Sequence, residues 1–336
     1  MKVLFIGGTG LISSACSELV LQREHELYIL NRSQSGKYPL PDGAQLLRAD
    51  VHGSFDDLKK TIGNLQFDSV VDWIAYTPAD IERDIQLFSG KIRQYIFISS
   101  ASVYQKPPVN YLITEDTPLE NPFWHYSRDK IACENRLMDE FRKNGFPVTI
   151  IRPSLTYGPS QIPLSVGSWQ HPYTVVDRIK KGKKLIVPGD GTSLWVLTWN
   201  GDFARGLLGL IGNENALGES FHITSDEVLT WNKIYLDLFD ALGTEPNIVH
   251  IPSDLIAAYW PHATGSLMGD KSNSAVFDNS KIKMFVPDFK CEVPWAEGVR
   301  RAIAWHEADR SRMTTDIEAN EVWDRIIAGY QRAYPD

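Results

Sequence analysis

Short apolar runs alternate with segments of helical periodicity through the first half of the chain. The run from Val3 to Ile6 is continuous, as a strand buried on both faces of a parallel sheet requires. Further strands are predicted at 27–30, 45–49, 68–75 and 94–98, and helices at 11–22, 54–62, 79–88 and 123–143. Strands that alternate with helices in this way predict an α/β fold of the Rossmann type, with a doubly wound parallel sheet.

A glycine-rich turn follows the first predicted strand. Strand, glycine turn and helix in this order direct a helix N-terminus at a phosphate group. Gly7 permits the tight turn, Gly10 removes a Cβ where a pyrophosphate must approach the backbone, and Ser13 stands where a third small residue is expected. On this motif alone, an ordinary turn between a strand and a helix stays open as the alternative.

The second predicted strand ends at Asn31 and Arg32, where a dinucleotide-binding fold reads the adenosine ribose. An acidic residue would bind the 2′-hydroxyl of NAD, but none is present, and an arginine accommodates the 2′-phosphate of NADP. We therefore expect NADP rather than NAD, although Arg32 as a solvated loop residue is the alternative. Residues 34–43 are predicted to form a loop, and Asp50 is expected beside the adenine.

Ligands of doubly wound sheets bind beyond the carboxyl ends of the strands. Five candidate residues fall at such ends in the predicted sheet, and an ordinary fold without a ligand does not require this pattern. They are Thr9, Arg32, Asp50, Ala75 and Ser100.

Tyr126 and Lys130 are four residues apart in a long predicted helix, so their side chains share one face. A free tyrosine titrates near 10, whereas a general acid or base works best near the working pH. A nearby ammonium group favours the phenolate, so Lys130 is expected to lower the pKa of Tyr126. Ser100 is positioned to hold the reacting oxygen by a hydrogen bond.

Five segments together resemble an extended short-chain dehydrogenase/reductase of the NAD-dependent epimerase/dehydratase family. They are residues 7–10, 99–104, 126–130, 152–159 and 295–305. The resemblance implies that Tyr126 is the catalytic acid/base, that Lys130 orients the cofactor ribose, and that Ser100 binds the substrate. It also implies that Pro153 to Leu155 line the nicotinamide end.

These observations predict an NAD(P)-dependent oxidoreductase or epimerase that acts on a secondary alcohol of a sugar or sugar-like substrate. The catalytic candidates are Ser100, Tyr126 and Lys130. The cofactor-binding candidates are Gly7, Thr9, Gly10, Leu11, Ile12, Asn31, Arg32, Asp50, Val51, Ala75, Tyr126, Lys130, Pro153 and Leu155.

Two departures from the family bear on the substrate. Dehydratases of the family carry an Asp-Glu pair directly after the catalytic serine or threonine, and this chain has Ala101 and Ser102, which disfavours 4,6-dehydration. Members that act on nucleotide sugars usually carry an arginine for the diphosphate where this chain has Trp195. The substrate is therefore not expected to be a nucleotide sugar.

The second half loses the regular rhythm of strands and helices. We expect a dinucleotide-binding domain at 1–155, a substrate lobe at 156–310 that mixes with the first domain near its ends, and a helical tail at 311–336. The tail is expected to cap the fold or to pack on a partner subunit. Four tryptophans are candidates for a sugar-binding wall, with core packing as the alternative: Trp169, Trp195, Trp199 and Trp260.

Composition and charge limit the partners, metal sites and locations that we expect for this chain. The 336 residues carry a formal net charge of −8, which argues against a nucleic-acid partner. The chain is also similar to chloroplast stem-loop RNA-binding proteins, so an RNA-associated or non-catalytic dinucleotide-binding protein stays open as the alternative. Three scattered cysteines and the histidine spacing predict no metal site and no disulfide. No leader and no membrane span are expected, so we predict a cytoplasmic protein. A homodimer is one possibility left open.

Overall fold

The computed structural model describes residues 1–33 and 37–333, so part of the predicted loop 34–43 and the end of the predicted tail lie outside the described residues. The strands are β1 (Lys2–Ile6), β2 (Glu26–Asn31), β3 (Gln45–Arg48), β4 (Phe67–Asp72), β5 (Ile92–Ile98), β6 (Leu112–Ile113), β7 (Val148–Pro153), β8 (Leu155–Tyr157), β9 (Leu185–Pro188), β10 (Leu194–Trp199), β11 (Ser220–Ile223), β12 (Val228–Thr230), β13 (Ile248–Ile251) and β14 (Val276–Phe277). The helices are α1 (Ser13–Gln22), α2 (Phe55–Ile62), α3 (Pro78–Phe88), α4 (His125–Asn144), α5 (Thr174–Lys180), α6 (Asn200–Leu210), α7 (Trp231–Ala241), α8 (Ser253–Tyr259), α9 (Thr264–Ser266), α10 (Ser280–Phe285), α11 (Trp295–Glu307) and α12 (Ile317–Gln331).

A seven-stranded sheet forms the centre of the molecule, in the order β11-β7-β5-β4-β1-β2-β3. Every neighbouring pair in it is parallel. The strand order reverses direction at β1, as in a doubly wound sheet, and the ligand crevice of such a sheet lies at that point. The predicted Rossmann-type fold is therefore confirmed.

The continuous apolar run in β1 is explained by burial on both faces of the sheet. Leu4 and Ile6 pack into a core with α2, α3 and α4, whereas Val3 and Phe5 pack into a second core with α1 and α6. Because helices cover both faces, no alternation of apolar and polar residues is needed along the strand.

Two predicted element boundaries are shifted in the structure, and both shifts affect the site. α1 begins at Ser13 rather than at residue 11, so that Leu11 and Ile12 remain part of the turn. β4 ends at Asp72 rather than at residue 75, because the Asp72 carboxylate accepts hydrogen bonds from the next turn. The start of α2 is as predicted, with Ser54 accepting a hydrogen bond from the backbone of Asp57.

The second half builds a smaller lobe but also returns to the main sheet. β11 pairs with β7, and α6 packs on α1. The rest of the lobe contains the three-stranded sheet β12-β10-β8 and the pair β13-β9. The tail helix α12 buries Val322, Trp323 and Ile326 in the core of this lobe, so it caps its own chain. The division at residues 155 and 310 remains a prediction.

Across residues 1–33 and 37–333, none of the helices combines the length and the apolar character that crossing a membrane demands.

Candidate active site

A cleft of about 630 Å³ opens at the carboxyl ends of β1, β2, β4 and β5. The structure brings all but one of the predicted site residues to its wall: Gly7, Thr9, Gly10, Leu11, Ile12, Asn31, Arg32, Asp50, Val51, Ser100, Tyr126, Lys130, Pro153 and Leu155. Ala75 is the exception, because its side chain is buried behind the wall that its neighbours Ile74 and Tyr76 line. Residues separated by more than a hundred positions thus meet at one edge of the sheet.

The glycine turn has the geometry that an anion site requires. Gly7 and Gly8 have φ values of +103° and +94°, a region that side chains rarely adopt. The amide of Gly10 donates to the Ser13 hydroxyl at 2.9 Å, so the residue in place of the third glycine fastens the turn to α1. No side chain caps the N-terminus of α1, and Ser13, the first residue of the helix, lines the cleft.

Asn31, Arg32 and Asp50 form the far end of the cleft. The Asn31 amide donates to the Thr9 hydroxyl at 3.2 Å and its oxygen accepts from the backbone of Ser33 at 2.8 Å, which fixes the loop after β2. The Arg32 guanidinium lies 3.8 Å from the Asp50 carboxylate, and both side chains are about half exposed. Such an exposed pair contributes little, so Arg32 is free to turn toward a ligand.

Lys130 is buried at the foot of the cleft, one helical turn after Tyr126 on α4. Its ammonium group donates to the carbonyl oxygens of Ala75 at 2.6 Å and Ile98 at 2.8 Å, which leaves one N–H for a further acceptor. Burial lowers the pKa of Lys130 to about 8.

Tyr126 lies between two aromatic rings, with centroid distances of 5.0 Å to Trp124 and 6.3 Å to Tyr76. Burial raises the pKa of Tyr126 to about 12, the Tyr76 phenol adds to this, and a hydrogen bond with Ser100 opposes it. The predicted lowering of this pKa by Lys130 is therefore wrong here. Burial of the phenol outweighs the ammonium group, which is held by two carbonyl oxygens.

Three serine hydroxyls form a chain behind the phenol. The Ser100 and Ser102 hydroxyls are 2.9 Å apart, and Ser127 donates to Ser102 at 2.8 Å. Sequence reasoning missed Ser127, although it directly follows Tyr126. The chain fixes the orientation of Ser100 without any carboxylate.

Comparison with known proteins identifies the family. Residues 3–224 match the model of the NAD dependent epimerase/dehydratase family. The chain belongs to this family. Chloroplast stem-loop binding protein of 41 kDa b from Arabidopsis thaliana is 28% identical over 264 residues, which cover 74% of this chain and 65% of that protein. UDP-glucose 4-epimerase from Lactobacillus helveticus is 26% identical over 209 residues, which cover 57% of this chain and 62% of that protein. The matches thus span under two thirds of the length of these two relatives.

Solved structures of family members show the same fold. The dTDP-glucose 4,6-dehydratase from Bacillus anthracis, in complex with NAD, aligns with a TM-score of 0.72 and 18% identity over 93% of this chain and 98% of that chain. The UDP-glucuronic acid 4-epimerase from Bacillus cereus, in complex with NAD, aligns with a TM-score of 0.68 and 19% identity over 91% of this chain and 98% of that chain.

A buried ion pair anchors α4 of this family member to the sheet. The Arg152 guanidinium donates to the Glu134 carboxylate with distances of 2.7 and 3.1 Å, and Ser99 donates to the same carboxylate. Glu134 lies one turn after Lys130, so the pair fixes the helix that carries Tyr126 and Lys130, two of the three catalytic candidates. The sequence pointed to the segment from Arg152 but not to its partner.

The four tryptophan candidates separate into two groups. Trp169 lines the cleft with 61% of its surface exposed. Trp195 is stacked on Trp231 at 5.3 Å in the core of the second lobe, and Trp199 and Trp260 pack in the same core. Core packing, the alternative to a sugar-binding wall, therefore holds for these three, because they pack in the interior of the lobe. Trp195, which stands where the resemblance leads us to expect an arginine for a diphosphate, is thus a buried core residue.

Proposed function

We propose that the protein is an NAD(P)-dependent oxidoreductase or epimerase that acts on a secondary alcohol of a sugar or sugar-like substrate. The observation that supports this most directly is the shared wall of one cleft, where Ser100, Tyr126 and Lys130 lie beside the glycine turn. A glycine turn alone suits many anions, and a Tyr-Lys pair alone occurs in many helices. The presence of the glycine turn and the Tyr-Lys pair in one cleft favours redox chemistry at an alcohol.

The residues of the cleft fit a nicotinamide dinucleotide. The turn at Gly7 and Gly8 and the uncapped N-terminus of α1 suit its diphosphate, because backbone amides and the helix dipole favour anions. Lys130, with one N–H unused, would bind the ribose near the nicotinamide, and Pro153 and Leu155 would line that end. When bound, the cofactor supplies the hydride acceptor and donor.

Within this proposal, Tyr126 moves the proton. Its phenolate oxygen accepts the proton of the substrate hydroxyl when the carbinol is oxidised, and the phenol returns that proton when the ketone is reduced. Ser100 holds the reacting oxygen. Because the pKa of Tyr126 is about 12 in the structure, this pKa must fall by several units as the site fills. Each unit corresponds to about 1.4 kcal/mol of additional stabilisation of the phenolate. The Lys130 ammonium group, 5.9 Å from the centroid of the Tyr126 ring, favours the phenolate but does not overcome burial, so the filled site must supply the rest.

We further propose a preference for NADP over NAD. Arg32 lines the cleft directly after β2 and its partner Asp50 holds it weakly. A 2′-phosphate placed there would compete with Asp50 for the guanidinium, and a charge-assisted hydrogen bond to phosphate is among the stronger polar contacts.

The substrate is proposed to be a sugar or polyol without a nucleoside diphosphate. Trp195 is buried where relatives that bind nucleotide sugars usually present an arginine, so the diphosphate would lack that donor. Trp169 offers an exposed aromatic face at the cleft wall, which suits stacking against a sugar ring. Ala101 and Ser102 in place of an acidic pair make 4,6-dehydration the less favoured reaction.

RNA binding is the second candidate, and the similarity to a stem-loop binding protein favours it. A net charge of −8 opposes it, because RNA affinity is dominated by basic contacts to phosphates.

The decisive experiment identifies the dinucleotide that the purified protein binds, by mass spectrometry, and then supplies a panel of sugars and polyols. We expect bound or added NADP(H) and a change in its redox state, or conversion of a sugar to its epimer with the dinucleotide retained. Failure to bind either dinucleotide would overturn the enzyme proposal. Tight binding of stem-loop RNA by the same preparation would then favour the second candidate.

A further inference from the structure

Asp72 ends β4 in the interior of the protein, and the proposed mechanism leaves it unused. One carboxylate oxygen accepts hydrogen bonds from the backbone amides of Ile74 at 2.7 Å and Ala75 at 2.8 Å. The carbonyl oxygen of Ala75 accepts the hydrogen bond from the Lys130 ammonium group at 2.6 Å. Ala75 therefore connects the Asp72 carboxylate to Lys130, because its amide donates to the first and its carbonyl oxygen accepts from the second.

The other Asp72 oxygen contacts two side chains, those of Tyr95 and Arg83. It accepts from the Arg83 guanidinium at 3.4 Å and lies 3.3 Å from the Tyr95 hydroxyl oxygen. The same two groups donate to Asp84, at 2.6 and 2.7 Å, and this second carboxylate does not contact the turn. Burial and the adjacent Asp72 carboxylate raise the pKa of Asp84.

We propose that Asp72 is a positioning residue, which fixes the turn at residues 74–76 so that the Ala75 carbonyl holds the Lys130 ammonium group at the foot of the cleft. This inference rests on the proposed function, in which Lys130 contacts the dinucleotide. Without the carboxylate, two buried amides would lose their acceptor and the turn would relax.

Charge is the second contribution of Asp72. Burial lowers the pKa of Lys130, and Asp72 is the largest of the influences that raise it. The other groups that raise it are Cys133, Glu134 and Asp80. The aromatic rings around the ammonium group belong to Tyr76, Phe97 and Tyr126. Asp72 thus keeps Lys130 protonated to a higher pH than its burial alone would allow.

The test is a fluorescence titration with NADPH, repeated at pH values on both sides of the Lys130 pKa of about 8. If Lys130 binds the dinucleotide as a cation, the affinity of the natural protein falls as the pH rises through this value. If the transition is absent in Lys130→Met, it is caused by the titration of Lys130. Asp72→Asn keeps an oxygen for the two amides and removes the charge, whereas Asp84→Asn is the matched control in the same buried cluster.

We expect Asp72→Asn to move the midpoint of the transition down by roughly one pH unit, the lower end of what a nearby opposite charge produces. Asp84→Asn should leave the midpoint in place. Asp72→Asn should have no further effect in a Lys130→Met background, because its influence acts through Lys130. A merely structural role would instead weaken binding equally at every pH.

Equal midpoints for Asp72→Asn, Asp84→Asn and the natural protein would overturn the inference, provided that Lys130→Met removes the transition. Absence of NADPH binding to the natural protein would count against the proposed function instead. If Asp72→Asn does not fold, Ala75→Gly loosens the same turn while it keeps the carboxylate. Ala75→Gly should then weaken NADPH binding below the midpoint but not in the Lys130→Met background, and equal losses in both backgrounds would refute the inference.

Discussion

The ring of Tyr76 lies 6.3 Å from the ring of Tyr126, and one ammonium group faces both. Lys130 Nζ is 4.6 Å from the centroid of Tyr76 and 5.9 Å from that of Tyr126. Two phenols in the cleft are therefore close enough to Lys130 to be considered as the acid/base. Ser100 lowers the pKa of Tyr126 and has no such influence on Tyr76, so we take Tyr126 as the phenol beside the predicted substrate oxygen.

The two phenols can be distinguished by removing one hydroxyl at a time. We expect Tyr126→Phe to lower kcat by roughly 10²- to 10⁴-fold, the usual contribution of a positioned acid/base, and to leave dinucleotide affinity nearly unchanged. Tyr76→Phe is the control and should retain most of the activity. Steady-state turnover of an identified sugar and fluorescence titration with NADPH measure the two quantities. The reverse result would assign the proton transfer to Tyr76.

The sequence was informative wherever a residue pattern reflects backbone geometry. The buried run from Val3, the turn at Gly7 and the helical spacing from Tyr126 to Lys130 led to the fold and to most of the cleft wall. These features depend on local periodicity and on residues that few other conformations accept.

Features that depend on tertiary burial could not be obtained in this way. The pKa of Tyr126 is raised by burial and by the Tyr76 phenol, and no sequence motif links the neighbouring rings of Trp124 and Tyr76 to it. Likewise, nothing in the sequence indicates that Trp195 stacks on Trp231 while Trp169 faces the cleft. Whether a given face of a helix or strand is buried depends on the other elements that pack against it.

The cofactor preference can be tested at Arg32. We expect Arg32→Ala to weaken NADPH binding by about tenfold or more, because hydrogen bonds to a charged group contribute roughly 1.5–3 kcal/mol. NADH binding should change little. Arg48→Ala is the control, since this exposed arginine lies opposite Asn31 in the β2–β3 register and does not line the cleft. An equal loss of affinity for NADPH and NADH, or no loss of affinity for either, would contradict a role of Arg32 at the 2′-phosphate.

The exposed face of Trp169 predicts a contact with the sugar. We expect Trp169→Ala to raise KM for an identified sugar by roughly 3- to 10-fold with little change in kcat, as the loss of one stacking contact implies. Trp169→Phe keeps an aromatic face and should restore most of the affinity. Trp305→Ala, on α11 and away from the cleft, serves as the control. An unchanged KM in Trp169→Ala would show that the ring does not contact the substrate.

His222 sits in the interior on β11, hydrogen-bonded on both ring nitrogens. Nε2 is 2.7 Å from the carbonyl oxygen of Asp278, so it must donate, and Nδ1 then accepts from the Tyr104 hydroxyl at 3.0 Å. Burial lowers the pKa of His222 from 6.5 to about 4. The ring is therefore neutral, and its 3.7 Å approach to Glu115 is not an ion pair at neutral pH.

This burial predicts a loss of stability in mild acid. Between pH 6.5 and about 4 the unfolded chain binds a proton at His222 that the folded chain does not, so stability falls as the pH falls. The full loss is roughly 3 kcal/mol, which follows from about 1.4 kcal/mol per pKa unit. His222→Gln should flatten the pH dependence of the unfolding free energy in this window, measured by chemical denaturation, even though its stability at neutral pH will be lower. His262→Gln, at an exposed position, should leave the slope of the natural protein intact. If His222→Gln retains that slope as well, another buried group is responsible for the acid sensitivity.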